Sequence, residues 1–251
     1  VQGKTLAGQE IIIPFVESGD LDGMTRAMHK GFADMVEAMG ATTRVCHYRP
    51  PQINSLLASD PAQLIVLIQP DPQPDIVIRP DQLMVVISTT AWVSIASPGR
   101  YDLVLVEEEN GGFLAGRCLR EAGCRHACFI GAVYRRDLSR LDETSFVRLR
   151  GFERAWGTSV GSAYHLRCLA YDMGEPAHSF DRFLAMNPRP DAVFAASDEL
   201  AVGFVVAARA HGLVAGRDYC IVGFDGQQRG REMRGGPLTT VVVHAMEMGA
   251  K

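Results

Sequence analysis

The order of the apolar segments constrains this chain more than any single motif. Short unbroken runs, such as Ile11-Ile12-Ile13-Pro14-Phe15-Val16 and Leu64-Ile65-Val66-Leu67-Ile68, alternate with segments whose apolar residues recur every three or four positions. Unbroken runs of that length read as strands buried on both faces, and the three-to-four period reads as amphipathic helix. Strands are expected at 10–16, 42–47, 64–68, 83–88, 102–106, 126–130, 166–170, 191–195, 220–224 and 240–243. Helices are expected at 23–39, 52–58, 109–122, 144–156, 176–186 and 198–211. Gly40 and Gly123 stand where two of these helices stop, and Asn110 can cap the first turn of the 109–122 helix. The prolines at 70, 72, 74 and 80 mark a loop.

Strands that alternate with helices through short connections build a parallel sheet covered by helices. About ten strands suit two such sheets better than one. The expected fold is therefore α/β: two doubly wound parallel-sheet subdomains with a ligand cleft between them. Such sheets receive ligands at the carboxyl ends of their strands.

Composition narrows the partners. The 251 residues carry a net charge of -4, with 47% apolar and 22% charged side chains. An acidic chain without a basic stripe has no footprint for a nucleic-acid backbone, and Arg135-Arg136 is too short a run to supply one. No apolar run approaches the ~20 residues of a membrane span, and residues 1–10 lack the apolar core of a signal peptide. The six cysteines form no C-x-x-C pair and sit mostly in apolar segments, which points to a reducing cytoplasm.

Several motifs are set aside on context. Gly157-Thr158-Ser159-Val160-Gly161 matches a nucleophile elbow, but a helix precedes it and a strand follows, the reverse of what catalysis needs. Gly3-Lys4-Thr5 lacks the upstream glycine and strand of a phosphate loop. Cys124-x-His126-x-Cys128 lacks a fourth ligand and zinc spacing. No catalytic residue, metal or cofactor is expected. Glu107-Glu108-Glu109 opens a helix, where acids are favourable in any case. Ser197 or Asp198 can cap the helix that follows a strand, alone or while also touching a ligand. Asp225 directly follows a buried strand, beside Gly226. A turn or a ligand contact would each account for it.

Residues 190–249 resemble the effector-binding domain of the LacI/GalR family of bacterial transcription regulators. The resemblance rests on Pro190-Asp191-Ala192-Val193-Phe194, Ser197-Asp198-Glu199-Leu200-Ala201-Val202-Gly203, Val222-Gly223-Phe224-Asp225, Pro237-Leu238-Thr239-Thr240-Val241 and Met248-Gly249. Asn110-Gly111-Gly112-Phe113-Leu114-Ala115-Gly116, Phe129-Ile130-Gly131 and Arg148-Leu149-Arg150-Gly151-Phe152 extend it upstream to about residue 100. Before that point only the order of elements agrees, with Gly31-Phe32 and Gly40 in place.

The resemblance implies a periplasmic-binding-protein-like fold of two subdomains, residues 1–130 with 241–251 and residues 131–240, with crossings near Gly131 and Thr239–Val241. It implies a small polar effector, sugar-like or purine-like, bound in the cleft of a homodimer. Arg148 would reach that effector with its guanidinium fork, and Asp225 would accept its hydroxyl or ring N–H groups. Ser197 and Asp198 would complete the site. Operator DNA would be met by an N-terminal helix-turn-helix segment that this chain does not include, and the family's domain usually continues past Lys251. The chain departs from the family in the 17–22 loop, in Glu107-Glu108 where Asp-Asn is common, and at Ser197 where sugar binders more often have Asn. The alternative is a solute-binding receptor of a sugar transport system, which has the same fold.

Overall fold

A computed structural model describes residues 7–16, 23–49, 52–68, 75–88, 100–134, 137–233 and 235–250. Gly3-Lys4-Thr5, the 17–22 loop, Pro70, Pro72, Pro74 and Arg135-Arg136 lie outside the described residues. Along the chain the elements are β1 (Glu10–Val16), α1 (Gly23–Ala38), β2 (Thr42–Tyr48), α2 (Ile53–Ser59), β3 (Leu64–Ile68), β4 (Leu83–Ser88) and β5 (Arg100–Leu105). Then come α3 (Glu108–Glu121), β6 (Ala127–Tyr134), β7 (Asp137–Leu141), α4 (Glu143–Trp156), β8 (His165–Cys168), α5 (Glu175–His178) and α6 (Phe180–Leu184). The last are β9 (Ala192–Ala195), α7 (Asp198–Ala210), β10 (Cys220–Asp225), α8 (Gln228–Arg231), β11 (Thr240–Val242) and α9 (Ala245–Ala250).

The chain divides into two compact units, 1–106 with 244–251, and 107–243. Unit 1 is a five-stranded parallel sheet in the order β2-β1-β3-β4-β5. Its unbroken apolar runs are buried on both sides. Ile11, Ile13, Val66, Ile68 and Ile87 pack with Met28 and Val36 of α1. Ile12, Ile65, Leu67, Met84 and Val86 pack with Ile53 and Leu57 of α2. Helix α9 lies directly on α1: a Cβ at Gly31 would overlap the Met246 carbonyl, and one at Gly249 the Met28 carbonyl.

In unit 2, β11, β10, β9, β6 and β8 form a parallel sheet in that order, and β7 pairs antiparallel with the end of β6. Its core is aromatic: Phe152 stacks on Phe194 at 5.1 Å and on Trp156 at 5.4 Å. Helices α3 and α4 touch backbone to backbone. A Cβ on Gly112 would overlap the Arg148 carbonyl, one on Gly116 would press on the Phe152 carbonyl, and one on Gly151 would overlap the Glu109 carbonyl.

The expected α/β architecture with two parallel sheets is what the chain adopts. The boundaries differ. Residues 107–130 belong to unit 2, so the expected division at 130/131 falls inside it, as does the one at 240/241. The physical reason is the α3–α4 contact together with the pairing of β6 to β8 and β9, which ties this segment to the second sheet. Strand β7 was not expected; its sequence, Asp-Leu-Ser-Arg-Leu, is largely exposed and carries no buried run. The expected 176–186 helix is two short helices broken at Ser179. Asn110 is inside α3 and does not cap it; Glu107 holds the cap position without a side-chain bond.

Gly112→Ala should lower the stability of unit 2 by about 1–3 kcal/mol, the usual range for overpacking. Gly161→Ala should be close to neutral, because its φ is -58° and nothing lies within 4 Å of its Cβ position. Urea unfolding followed by Trp156 fluorescence compares the two.

Candidate functional site

Three segments of unit 2 converge on the guanidinium of Arg148, which is 2% exposed. The close glycine contact sets Glu108, at the start of α3, against Arg148 on α4. Arg148 Nε donates to Glu108 Oε2, and Nη2 donates to Oε1 at 3.0 Å. Nη1 donates to the carbonyl of Ala196, just after β9. From the end of β10, Asp225 Oδ1 lies 3.3 Å from Nη2, and the Phe224 ring carries the guanidinium at 3.7 Å from its centroid. A planar cation between a bidentate carboxylate and an aromatic face is the arrangement arginine favours in buried sites.

The Val222-Gly223-Phe224-Asp225 motif now has a local explanation. A Cβ on Gly223 would collide with Asp198 Oδ1, so only glycine leaves room for that carboxylate. Gly111 similarly clears space for the Phe224 ring. Asp225 itself has φ 99°, a left-handed conformation rare outside glycine, asparagine and aspartate. That backbone turns the side chain inward, where it is 6% exposed. Its Oδ2 accepts from Gln227 Nε2 at 3.4 Å, while Oδ1 accepts no hydrogen bond.

Asp198 opens α7 and is fully buried. Its Oδ1 accepts from Thr240 Oγ1 and its Oδ2 from the Gln227 amide, both at 2.6 Å. It thus ties the helix start to β11 and to the turn after β10. Ser197 is the N-cap of α7, its Oγ accepting from the Leu200 amide at 3.2 Å. Around α4, Asp142 caps the helix through the Ser145 amide at 2.8 Å and accepts from the Tyr171 hydroxyl at 2.9 Å. The Tyr171 hydroxyl also meets Ser145 Oγ at 2.9 Å.

Burial dominates the electrostatics. It pushes Glu108 up against the opposing pull of Arg148. It pushes Asp198 up against the bonds from Thr240 and from the Gln227 and Gly226 amides. It pushes Asp225 up to about 7, helped by Asp198 and Glu108 and opposed by Arg148. The thiol of Cys128 is likewise pushed up by complete burial, and Ser159 lies in an exposed loop after α4. Among the described residues no three His, Cys, Asp or Glu side chains gather as metal ligands. A cavity of about 700 Å³ in unit 1 is lined mainly by apolar side chains at the amino ends of its strands, among them Ile11, Leu64, Leu83 and Tyr101.

The structure therefore brings together Arg148, Asp198 and Asp225, and holds Ser197 beside them as a cap. Each guanidinium nitrogen of Arg148 meets an acceptor within unit 2. Glu108, which the sequence did not single out, is the carboxylate that holds this guanidinium. The signal that could have found it is spacing: Glu108, Gly112 and Gly116 fall four apart on the face of α3 that is buried. Glu107 and Glu109 fall off that stripe.

Residues 117–251 match the family described as periplasmic binding protein-like domain, more than half of the chain. The chain belongs to this family. Its curated relatives are regulators. It is 31% identical over 154 residues to the HTH-type transcriptional regulator DegA of Bacillus subtilis, covering 60% of this chain and 43% of that protein. It is 33% identical over 133 residues to the HTH-type transcriptional repressor PurR of Erwinia tasmaniensis, covering 52% of this chain and 37% of that one. The chain thus spans less than half the length of these relatives. In fold it is similar to a LacI family transcriptional regulator from Enterococcus faecium with bound ribose, at TM-score 0.72 and 18% identity, covering 96% of this chain and 86% of that one. The sequence resemblance to LacI-type effector domains thus agrees with both kinds of relative.

In this periplasmic binding protein-like domain, Asp225 gives a signed pH dependence. Its carboxyl is held near 7 in the folded chain, against ~3.9 when unfolded. Between about pH 4 and 7 the folded state retains a proton that the unfolded state has released, so this group's contribution to stability falls as pH rises through that window. Asp225→Asn removes the titration while tolerating the positive φ. The variant should therefore gain in Tm relative to the parent between pH 5 and pH 8. A constant difference across that range would show that Asp225 does not titrate there.

Proposed function

We propose that this chain is the effector-sensing domain of a LacI/GalR-type transcription regulator. The observation that carries the reading is the polar cluster of Arg148, Asp198 and Asp225 beside the carboxyl ends of β9 and β10, in a chain of this family. Carboxyl ends of a doubly wound sheet are where such folds take ligands. Three features support a small polar ligand there: buried charge, a strained Asp225, and an acceptor without a hydrogen bond. The ribose complex of a structural relative favours a sugar-like compound.

In this reading Asp225 is the ligand contact and Asp198 holds the turn that presents it. Ser197 sets the start of α7. Arg148 acts as the post on which Glu108, Asp225 and the Ala196 carbonyl are arranged. Ligand binding shifts the population between two arrangements of the domain. Operator DNA is then the partner of a segment outside these residues, the assembly is a homodimer, and the protein works in the cytoplasm without enzymatic turnover. The regulator names of the curated relatives favour this over a solute receptor of a transport system. Among the described residues no helix is long and apolar enough to cross a membrane.

The test is a thermal-shift and calorimetric screen with sugars, sugar phosphates, polyols and purines. A ligand that binds only the folded state raises Tm by mass action. The expected result is a hit whose affinity falls at least tenfold in Asp225→Asn, with the free variant folded. Arg148→Ala is a poor probe, since it strands Glu108 as an unpaired buried charge at a cost of about 3–5 kcal/mol. A hit indifferent to Asp225→Asn would remove Asp225 from the site.

A further inference from the structure

Among the described residues the charges around Arg148 do not balance. Glu108 of α3, Asp225 of β10 and Asp198 of α7 surround this one guanidinium, and Asp142 at the head of α4 adds a fourth carboxylate that acts on Glu108. The other described groups facing the cluster, the Tyr171 and Thr240 hydroxyls, the Gln227 side chain and the Gln227 and Gly226 amides, are neutral. Arg148 has little left to offer an incoming anion, because its nitrogens are engaged by Glu108, Ala196 and Asp225. What remains open is an acceptor: Asp225 Oδ1, more than nine-tenths buried, ion-paired at 3.3 Å but receiving no hydrogen bond.

We infer that the ligand at this site carries a protonated amine, set on a hydroxylated frame, which docks against Asp225 and offsets the excess of carboxylate. The inference rests on the reading of these strand ends as an effector site and specifies its chemical class. A neutral polyol would satisfy the open acceptor but leave the charge uncompensated, and an anion would worsen it. The strained backbone of Asp225 holds the acceptor in place before the ligand arrives. The direction in which burial and neighbouring carboxylates shift Asp225 agrees, since each favours a proton or another cation beside it.

The test uses matched triples that differ only in charge: sorbitol, 1-amino-1-deoxysorbitol and gluconate, with the corresponding sets on galactose and ribose skeletons. Thermal shift ranks them, and calorimetry measures the hits. The expected result is that an amine binds at least tenfold tighter than its neutral and acidic counterparts, with a preference that shrinks in Glu108→Gln. Should that variant not fold, the parent protein still answers. Affinity for the amine should rise between pH 6 and pH 8 as the carboxyl loses its proton, with proton release detected in two buffers of different ionisation enthalpy. A neutral or acidic member that binds as tightly as the amine, and loses affinity in Asp225→Asn, would overturn the inference while leaving the effector reading intact. No hit in any triple, or hits indifferent to Asp225→Asn, would overturn both.

Discussion

The contact between α3 and α4 governs unit 2. Gly112, Gly116 and Gly151 let the two helix backbones meet where any Cβ would force them apart. That approach sets Glu108 within reach of Arg148, and the pair then fixes the guanidinium plane. Phe224 stacks beneath that plane, and the Ala196 carbonyl receives the remaining donor. Widening the helix pair by one methyl group would loosen each of these at once. A cation over an aromatic face is worth up to ~2 kcal/mol when desolvated, but only while the geometry is held.

The arrangement is costly to bury. Replacing a buried ion pair with apolar residues is often neutral or stabilising, whereas breaking one leaves an uncompensated charge. Unit 2 keeps its charges in place with short-range supports: Thr240 and the Gln227 amide on Asp198, and the capping bond of Ser197. The strained conformation of Asp225 follows the same logic. A residue in a sparsely populated backbone region persists where its surroundings over-determine it, and such positions gather at functional sites.

Much of this was legible before any coordinates. Unbroken runs such as 64–68 and 83–88 announced buried parallel strands, and both strands stand at those residues. Burial on two faces is a one-dimensional property, so sequence records it directly. Strand β7 escaped because an exposed antiparallel edge needs no apolar run. The unit boundary escaped because it depends on which sheet a helix packs against, a long-range matter. Of the site, Asp198 and Asp225 were visible as polar residues beside buried strands, and Arg148 only through the family resemblance. Glu108 was obscured by its acidic neighbours, since any of Glu107, Glu108 and Glu109 would suit a helix start. The occupied fork of Arg148 could not be read from spacing at all, because its partners come from 40 and 48 residues away.

The discontinuity of unit 1 has a consequence for how the chain is made. Unit 2 is a single stretch of sequence, so it can fold as soon as residues up to 243 are available. Unit 1 is interrupted by it, and α9 packs on α1 through Gly31 and Gly249 only after the whole of unit 2 has been passed. Closing so long a loop costs little more than closing a short one at equilibrium, but it slows the search. During synthesis, therefore, α1 must wait with the face that α9 will cover still open to water. A nascent chain of this kind has an interval in which that face of α1 is uncovered, and it lasts at least until α9 has been made.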